Sequence, residues 1–171
     1  AWTKIVACGT ALGVNTVTQI RGQSLQEGEI EGLSRSAMTY AATISGAEYL
    51  ASVAKVHAYG RELAEFFQDY DLLLTPTLAE PPAVVGRFSH DTDDYVAFRT
   101  GPKGVFAYSP YAAAFNASGQ PAVSVPLYWS RQGLPIGVHL AAKFGEDELL
   151  MSVCAELERA QPWFNRRPAM S

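Results

Sequence analysis

Apolar positions along the chain fall into stretches with two different periods. Trp2, Ile5, Val6, Leu12 and Val17 lie among small residues, including Gly9 and Gly13, and predict a helix over residues 2–20. Arg21-Gly22 supplies its stop signal. Ser24-Leu25-Gln26-Glu27 has the form of a capping box, in which Ser and Glu satisfy opposite amides at a helix start. Ile30, Leu33, Ala37, Ala41 and Ile44 follow it at helical spacing. Ser45-Gly46-Ala47-Glu48 is a second capping box. Beyond it Tyr49, Val53, Val56, Gly60, Leu63, Phe67 and Tyr70 recur at alternating steps of four and three. Leu50, Ala54, His57 and Ala64 widen that stripe, while Lys55, Glu62, Glu65 and Gln68 take the other side. The pattern predicts a one-sided helix of about six turns docked on a core.

The second half of the chain changes period. Asp71-Leu72-Leu73-Leu74-Thr75, stopped by Pro76, reads as a buried strand. From about residue 80 to 104, Pro81, Pro82, Gly86, Gly101 and Pro102 mark a mobile surface loop with room for one short helix. Ser109-Pro110 offers an N-cap and a first-turn proline for a short helix over residues 111–118, which Gly119 ends in the left-handed conformation. Residues 121–127 and 135–141 read as strands joined by a turn at Ser130-Arg131-Gln132-Gly133. Pro126 and Pro135 cannot donate ladder hydrogen bonds, so they belong at strand ends or sheet edges. A last helix runs from Glu146 to Ala160, with Leu149, Leu150, Val153, Cys154 and Leu157 facing inward. Its first turn is acidic, as the helix dipole favours. The tail from Pro162 to Pro168 folds back through Trp163. The fold class is α/β.

Composition narrows the function classes. The chain has 171 residues, 48% of them hydrophobic and 18% charged, which suits one domain with its own core. A formal net charge of −4 leaves no basic footprint for nucleic acid. No apolar run is long enough to span a membrane. Ile5-Val6-Ala7-Cys8 has the letters of a lipoprotein processing site but lacks the basic start and long apolar stretch that such a site needs. A cytoplasmic location is expected. Cys8 and Cys154 are far apart and read as small buried residues, not as a disulfide. His57, His90 and His139 have no metal-ligand spacing, and Asp91, Asp93 and Asp94 lack the closing Glu of a calcium loop. No metal or cofactor is expected. The sequence begins at Ala1 and not at Met, which suggests a processed or cut piece of something longer.

A self-contained catalytic set is missing. There is no G-x-S-x-G elbow, no phosphate loop and no dinucleotide fingerprint. Lys4, Lys55, Lys103 and Lys143 are the only lysines, and none stands beside a Gly/Ser-rich loop. Spacing and composition alone stop at a soluble α/β domain.

Three linked motifs carry more. Asp71-Leu72-Leu73-Leu74-Thr75-Pro76-Thr77 is followed by Asn116-Ala117-Ser118-Gly119-Gln120-Pro121-Ala122-Val123-Ser124-Val125-Pro126 and then by Gly133-Leu134-Pro135-Ile136-Gly137-Val138-His139-Leu140. In this order the series resembles the C-terminal part of the amidase signature family, over the whole chain. The resemblance implies a mixed sheet core flanked by helices, and hydrolysis of a carbon–nitrogen amide bond. Family members use a Ser–cis-Ser–Lys triad with a glycine-rich oxyanion loop. Both lie upstream of the motifs seen here, so no catalytic residue is assigned to this chain. The expected partners are the N-terminal catalytic portion of the same enzyme and a small-molecule amide, with a homodimer left open.

What the resemblance assigns to this chain is a pocket wall. The position seven residues before Asn116 is Ser109, where glutamine-using amidotransferases carry an Asp for the substrate amino group. A hydroxyl cannot replace that carboxylate, which favours a neutral or apolar amide. Tyr108, Tyr111 and Phe106 suit such a lining, and core packing explains them equally well. Arg35 lies near the place where amidotransferases carry an arginine for a substrate carboxylate. Asn116, Gly119 and Pro121 have a structural explanation: a hydrogen-bonded turn, a helix-ending backbone and a strand start. Two other classes stand beside the amidase. One is a stand-alone ligand-binding or assembly module that keeps part of the amidase fold. The other is an unrelated enzyme with His139 or His57 as its base.

Overall fold

A computed structural model describes residues 1–168. The chain divides into two compact units. One comprises Ala1–His57 and Val85–Ala107, and the other comprises Ala58–Val84 and the chain from Tyr108 onward.

The first unit is helical. It contains α1 (Trp2–Arg21), α2 (Gly32–Ala41), the N-terminal half of α3 (Gly46–Phe66), α4 (Tyr95–Thr100) and most of α5 (Val105–Tyr108). Small side chains let α1 and α2 approach closely. Ala7 and Ala37 are buried together with Tyr95, and Leu33, Tyr40 and Ala41 pack around them. The Tyr95 hydroxyl donates to the Thr3 carbonyl at 3.0 Å, so the buried phenol is satisfied. Gly22 ends α1 with φ 66°, as its position in the sequence implies.

The two capping boxes fare differently. At Ser45 both arms form: the Ser45 N–H donates to Glu48 Oε2 at 3.0 Å, and the Glu48 N–H donates to Ser45 Oγ at 3.2 Å. Lys4 adds an ion pair to Glu48 at 2.7 Å. That hydrogen bond, then those from Ser45, hold the Glu48 carboxyl down at about 2. At Ser24 no helix starts. The backbone turns at Gly28, with φ 81°, and α2 begins only at Gly32. The acceptor in that turn is Glu29, which takes the Gln26 N–H at 2.7 Å and both Arg21 Nη groups at 2.7 and 2.8 Å.

Helix α3 also departs from its pattern. It ends at Phe66, before Tyr70, and Ser52 is its one fully buried residue. Leu50 is 67% exposed, so much of the apolar stripe has no partner among the described residues. Within the proline-rich stretch after residue 80, Asp94 caps α4 by accepting the Ala97 N–H at 2.8 Å.

The second unit is built on β1 (Leu72–Pro76), β2 (Ala122–Trp129) and β3 (Pro135–Ala142). They form an antiparallel sheet in the order β1-β3-β2. α6 (Ala112–Ser118) and α7 (Asp147–Ala160) accompany it. Side chains alternate across β3, which gives the sheet two distinct faces. Val125, Leu140 and Ala142 bury against Leu150 and Cys154 of α7, with Trp163 closing over them. On the other face Ala141 meets Phe115 of α6 and Phe67. Burial pushes the Cys154 thiol up, as befits a core cysteine. Pro126 sits at a register break between Val125 and Tyr128, on an edge strand where its missing N–H costs little. Strand β1 is not buried throughout: Leu74 is 65% exposed. Helix α6 starts at Ala112 after Tyr111, so Ser109-Pro110 lies in the preceding turn and not at the cap.

Candidate functional site

The sheet face that carries Phe115 is also the polar face. The strand register sets Thr75 and Ser124 on either side of His139. Thr75 Oγ1 lies 3.2 Å from His139 Nδ1, and the Phe115 ring is centred 5.1 Å from the imidazole. His139 is buried, and loss of solvation holds its pKa below the usual histidine value. One residue pair further along, the Thr77 and Ser124 hydroxyls hydrogen-bond at 2.6 Å. They meet over Gly137, where an added Cβ would lie 2.5 Å from both oxygens. Glycine is therefore required there by close approach, not by its backbone angle. The period-two spacing of Thr75 with Thr77, and of Gly137 with His139, is the sequence signal for a shared face.

Just beyond this cluster the chain leaving β1 grips Tyr108 at two points. The Ala79 N–H donates to the Tyr108 carbonyl at 2.9 Å, and the Ala83 N–H donates to the Tyr108 phenol oxygen at 2.8 Å. Ser109 and Tyr111 follow it in the second unit, both partly buried. Gly119 ends α6 at φ 81° with its N–H on the Phe115 carbonyl. Asn116 is exposed, and Pro121 immediately precedes β2. The other two pocket candidates belong to the first unit. Phe106 is partly buried under the Arg99 guanidinium, 4.9 Å from the ring centre. Arg35 lies exposed on α2, where its Nη1 donates to the Ile30 carbonyl at 2.6 Å. Of the histidines weighed as bases, His57 is exposed and His139 is enclosed as described. Among the described residues no group of three or more His, Cys, Asp or Glu is arranged to hold a metal, and no helix is long and apolar enough to cross a membrane.

The sequence model of the Amidase family matches residues 8–151. The chain belongs to the amidase family. Within it, this chain is 32% identical over 158 residues to a 6-aminohexanoate-cyclic-dimer hydrolase of Paenarthrobacter ureafaciens, covering 89% of this chain and 31% of that protein. It is 35% identical over 112 residues to the putative amidase AmiC of Mycobacterium leprae, covering 66% of this chain and 23% of that one. The solved structure of a 6-aminohexanoate cyclic dimer hydrolase superposes with a TM-score of 0.84 at 29% identity, over 98% of this chain and 36% of the other. A bacterial aryl acylamidase of the amidase signature family shares the fold with a TM-score of 0.74 at 24% identity. This amidase chain thus spans about a third of the length of these relatives.

Proposed function

We propose that this chain supplies the C-terminal, pocket-lining portion of an enzyme that hydrolyses a carbon–nitrogen amide bond to a carboxylate and an amine or ammonia. The Ser–cis-Ser–Lys machinery would come from polypeptide preceding it, and the chain by itself would be inactive. The observation that carries this is the amidase match: nearly the whole chain superposes on a cyclic-dimer hydrolase, yet it occupies 36% of that enzyme. The uncovered apolar side chains support it. Leu50 on α3 in the first unit and Leu74 on β1 in the second are each about two-thirds exposed, so each has room for further polypeptide to cover it.

The substrate class follows from the wall. Ser109, Tyr108 and Tyr111, all in the second unit, offer hydroxyls and aromatic faces, which suit a neutral or apolar amide better than an ammonium-bearing one. Tyr108 would be the most firmly placed of them, because both its carbonyl and its phenol are held by the segment after β1. A neutral cyclic amide, the kind of substrate named for the 32% identical relative, fits this class. The test is an amide-hydrolysis assay on the 171-residue chain and on the protein that contains it in its source, with the intact mass of the latter. A larger mass, with turnover confined to the larger species, is expected. Sustained turnover by the 171 residues alone would overturn the assignment.

A further inference from the structure

Arg99 has an unusual environment for a charged side chain. It sits on α4, partly buried, with its guanidinium carbon 5.6 Å from the centre of the Tyr95 ring and 4.9 Å from that of Phe106. Two aromatic faces therefore hold one cation. Its Nε–H is fully buried and has no hydrogen-bond partner. Among the described residues the Arg99 side chain forms no ion pair and no hydrogen bond, and its Nη groups are not among the buried orphan atoms. The nearest acid in sequence, Asp94, is already spent on the Ala97 N–H. Arg21 and Arg35 are placed differently: Arg21 is doubly bonded to Glu29, and Arg35 reaches a backbone carbonyl.

A guanidinium fixed this way is preorganised for an anion. The aromatic faces prevent the side chain from sweeping through solvent, so little further entropy is lost when a ligand binds. The Nε edge is turned into the protein, which leaves the two Nη groups as a fork that matches the two oxygens of a carboxylate. We propose that Arg99, clasped by Tyr95 and Phe106, is a binding site for a small organic acid. The acid's carboxylate sits on the Nη fork, and its apolar body lies along Phe106. Amide hydrolysis releases such an acid. That link alone rests on the function proposed above, whereas binding itself can be measured without any turnover.

The test uses benzoate and benzamide, which share shape and differ in charge, added to the 171-residue chain while the backbone amide resonance of residue 99, present in every variant, is followed by NMR. Benzoate should shift that resonance saturably, and benzamide should bind at least about tenfold more weakly, since a charge-assisted fork is lost. Arg99→Gln should abolish the preference for benzoate. Arg99→Lys should keep the charge but bind about tenfold more weakly for lack of the fork. Phe106→Leu should weaken benzoate and benzamide together. Equal binding of the two probes, a shift reproduced by the same concentration of chloride, or a benzoate preference that survives in Arg99→Gln would overturn the proposal. If Arg99→Gln proves unfolded by circular dichroism, the probe pair on the unaltered chain and the Arg99→Lys variant decide.

Discussion

One methyl group at Gly137 would collide with two oxygens at once. Relieving a 2.5 Å approach to both Thr77 and Ser124 requires their hydroxyl pair to separate. Gly137→Ala should therefore destabilise the chain by about 1–3 kcal/mol in urea unfolding, the usual range for overpacking. Adding Ser124→Ala should recover part of that loss. His139 gives a pH-dependent counterpart. Its folded pKa is depressed by burial, so the unfolded chain takes up a proton more readily than the folded one. Its contribution is intact above the unfolded value near 6.5 and is lost as pH falls from there through the lowered folded value. Urea midpoints should therefore drop between neutral and mildly acidic pH, and His139→Gln should flatten that drop. Neither property was legible in residue types alone. A lone glycine and a lone histidine acquire these roles only when the strand register brings Thr77 and Ser124 together over the one, and sets Thr75 and Phe115 against the other.

Helices and strands show where local rules suffice and where they fail. The two Ser-x-x-Glu boxes are nearly identical as text, yet only the second caps a helix. Ser45→Ala should cost about 1 kcal/mol as a lost N-cap. Ser24→Ala should stay within about 0.5 kcal/mol, because its hydroxyl caps nothing. Parallel thermal or urea melts of the two variants make the comparison. The physical difference lies in the flanking residues: Gly28 adopts a positive φ that no helix tolerates, and Glu29, paired with Arg21, takes the Gln26 N–H in place of Glu27. Helix α7 shows the opposite case. Its inward stripe, acidic first turn and length were all readable, since its apolar face is covered by a sheet in the same unit. The fully covered Leu150 should accordingly lose about 2–5 kcal/mol on replacement by Ala.

Across the whole molecule, the contrast is between apolar residues that are covered and apolar residues that are not. Leu74→Ser should change the stability of this chain by less than about 0.5 kcal/mol, because the side chain is mostly in solvent. In a longer enzyme where further polypeptide covers β1, the same change should be costly, and unfolding midpoints of the two species would reveal it. By itself the sequence determined several features governed by neighbours in the chain. These include the helical and strand periods, the Ser45 cap, the left-handed stop at Gly119, the placement of Pro126 on an edge, and the ordered motifs that mark an amidase. Such features follow from backbone geometry and side chains a few residues apart. Only the tertiary structure decided which stripes find a partner, which hydroxyls meet across the sheet, and that Arg99 stands without an acid between two rings. These depend on contacts between distant segments, and on segments that supply no contact, neither of which a local pattern encodes.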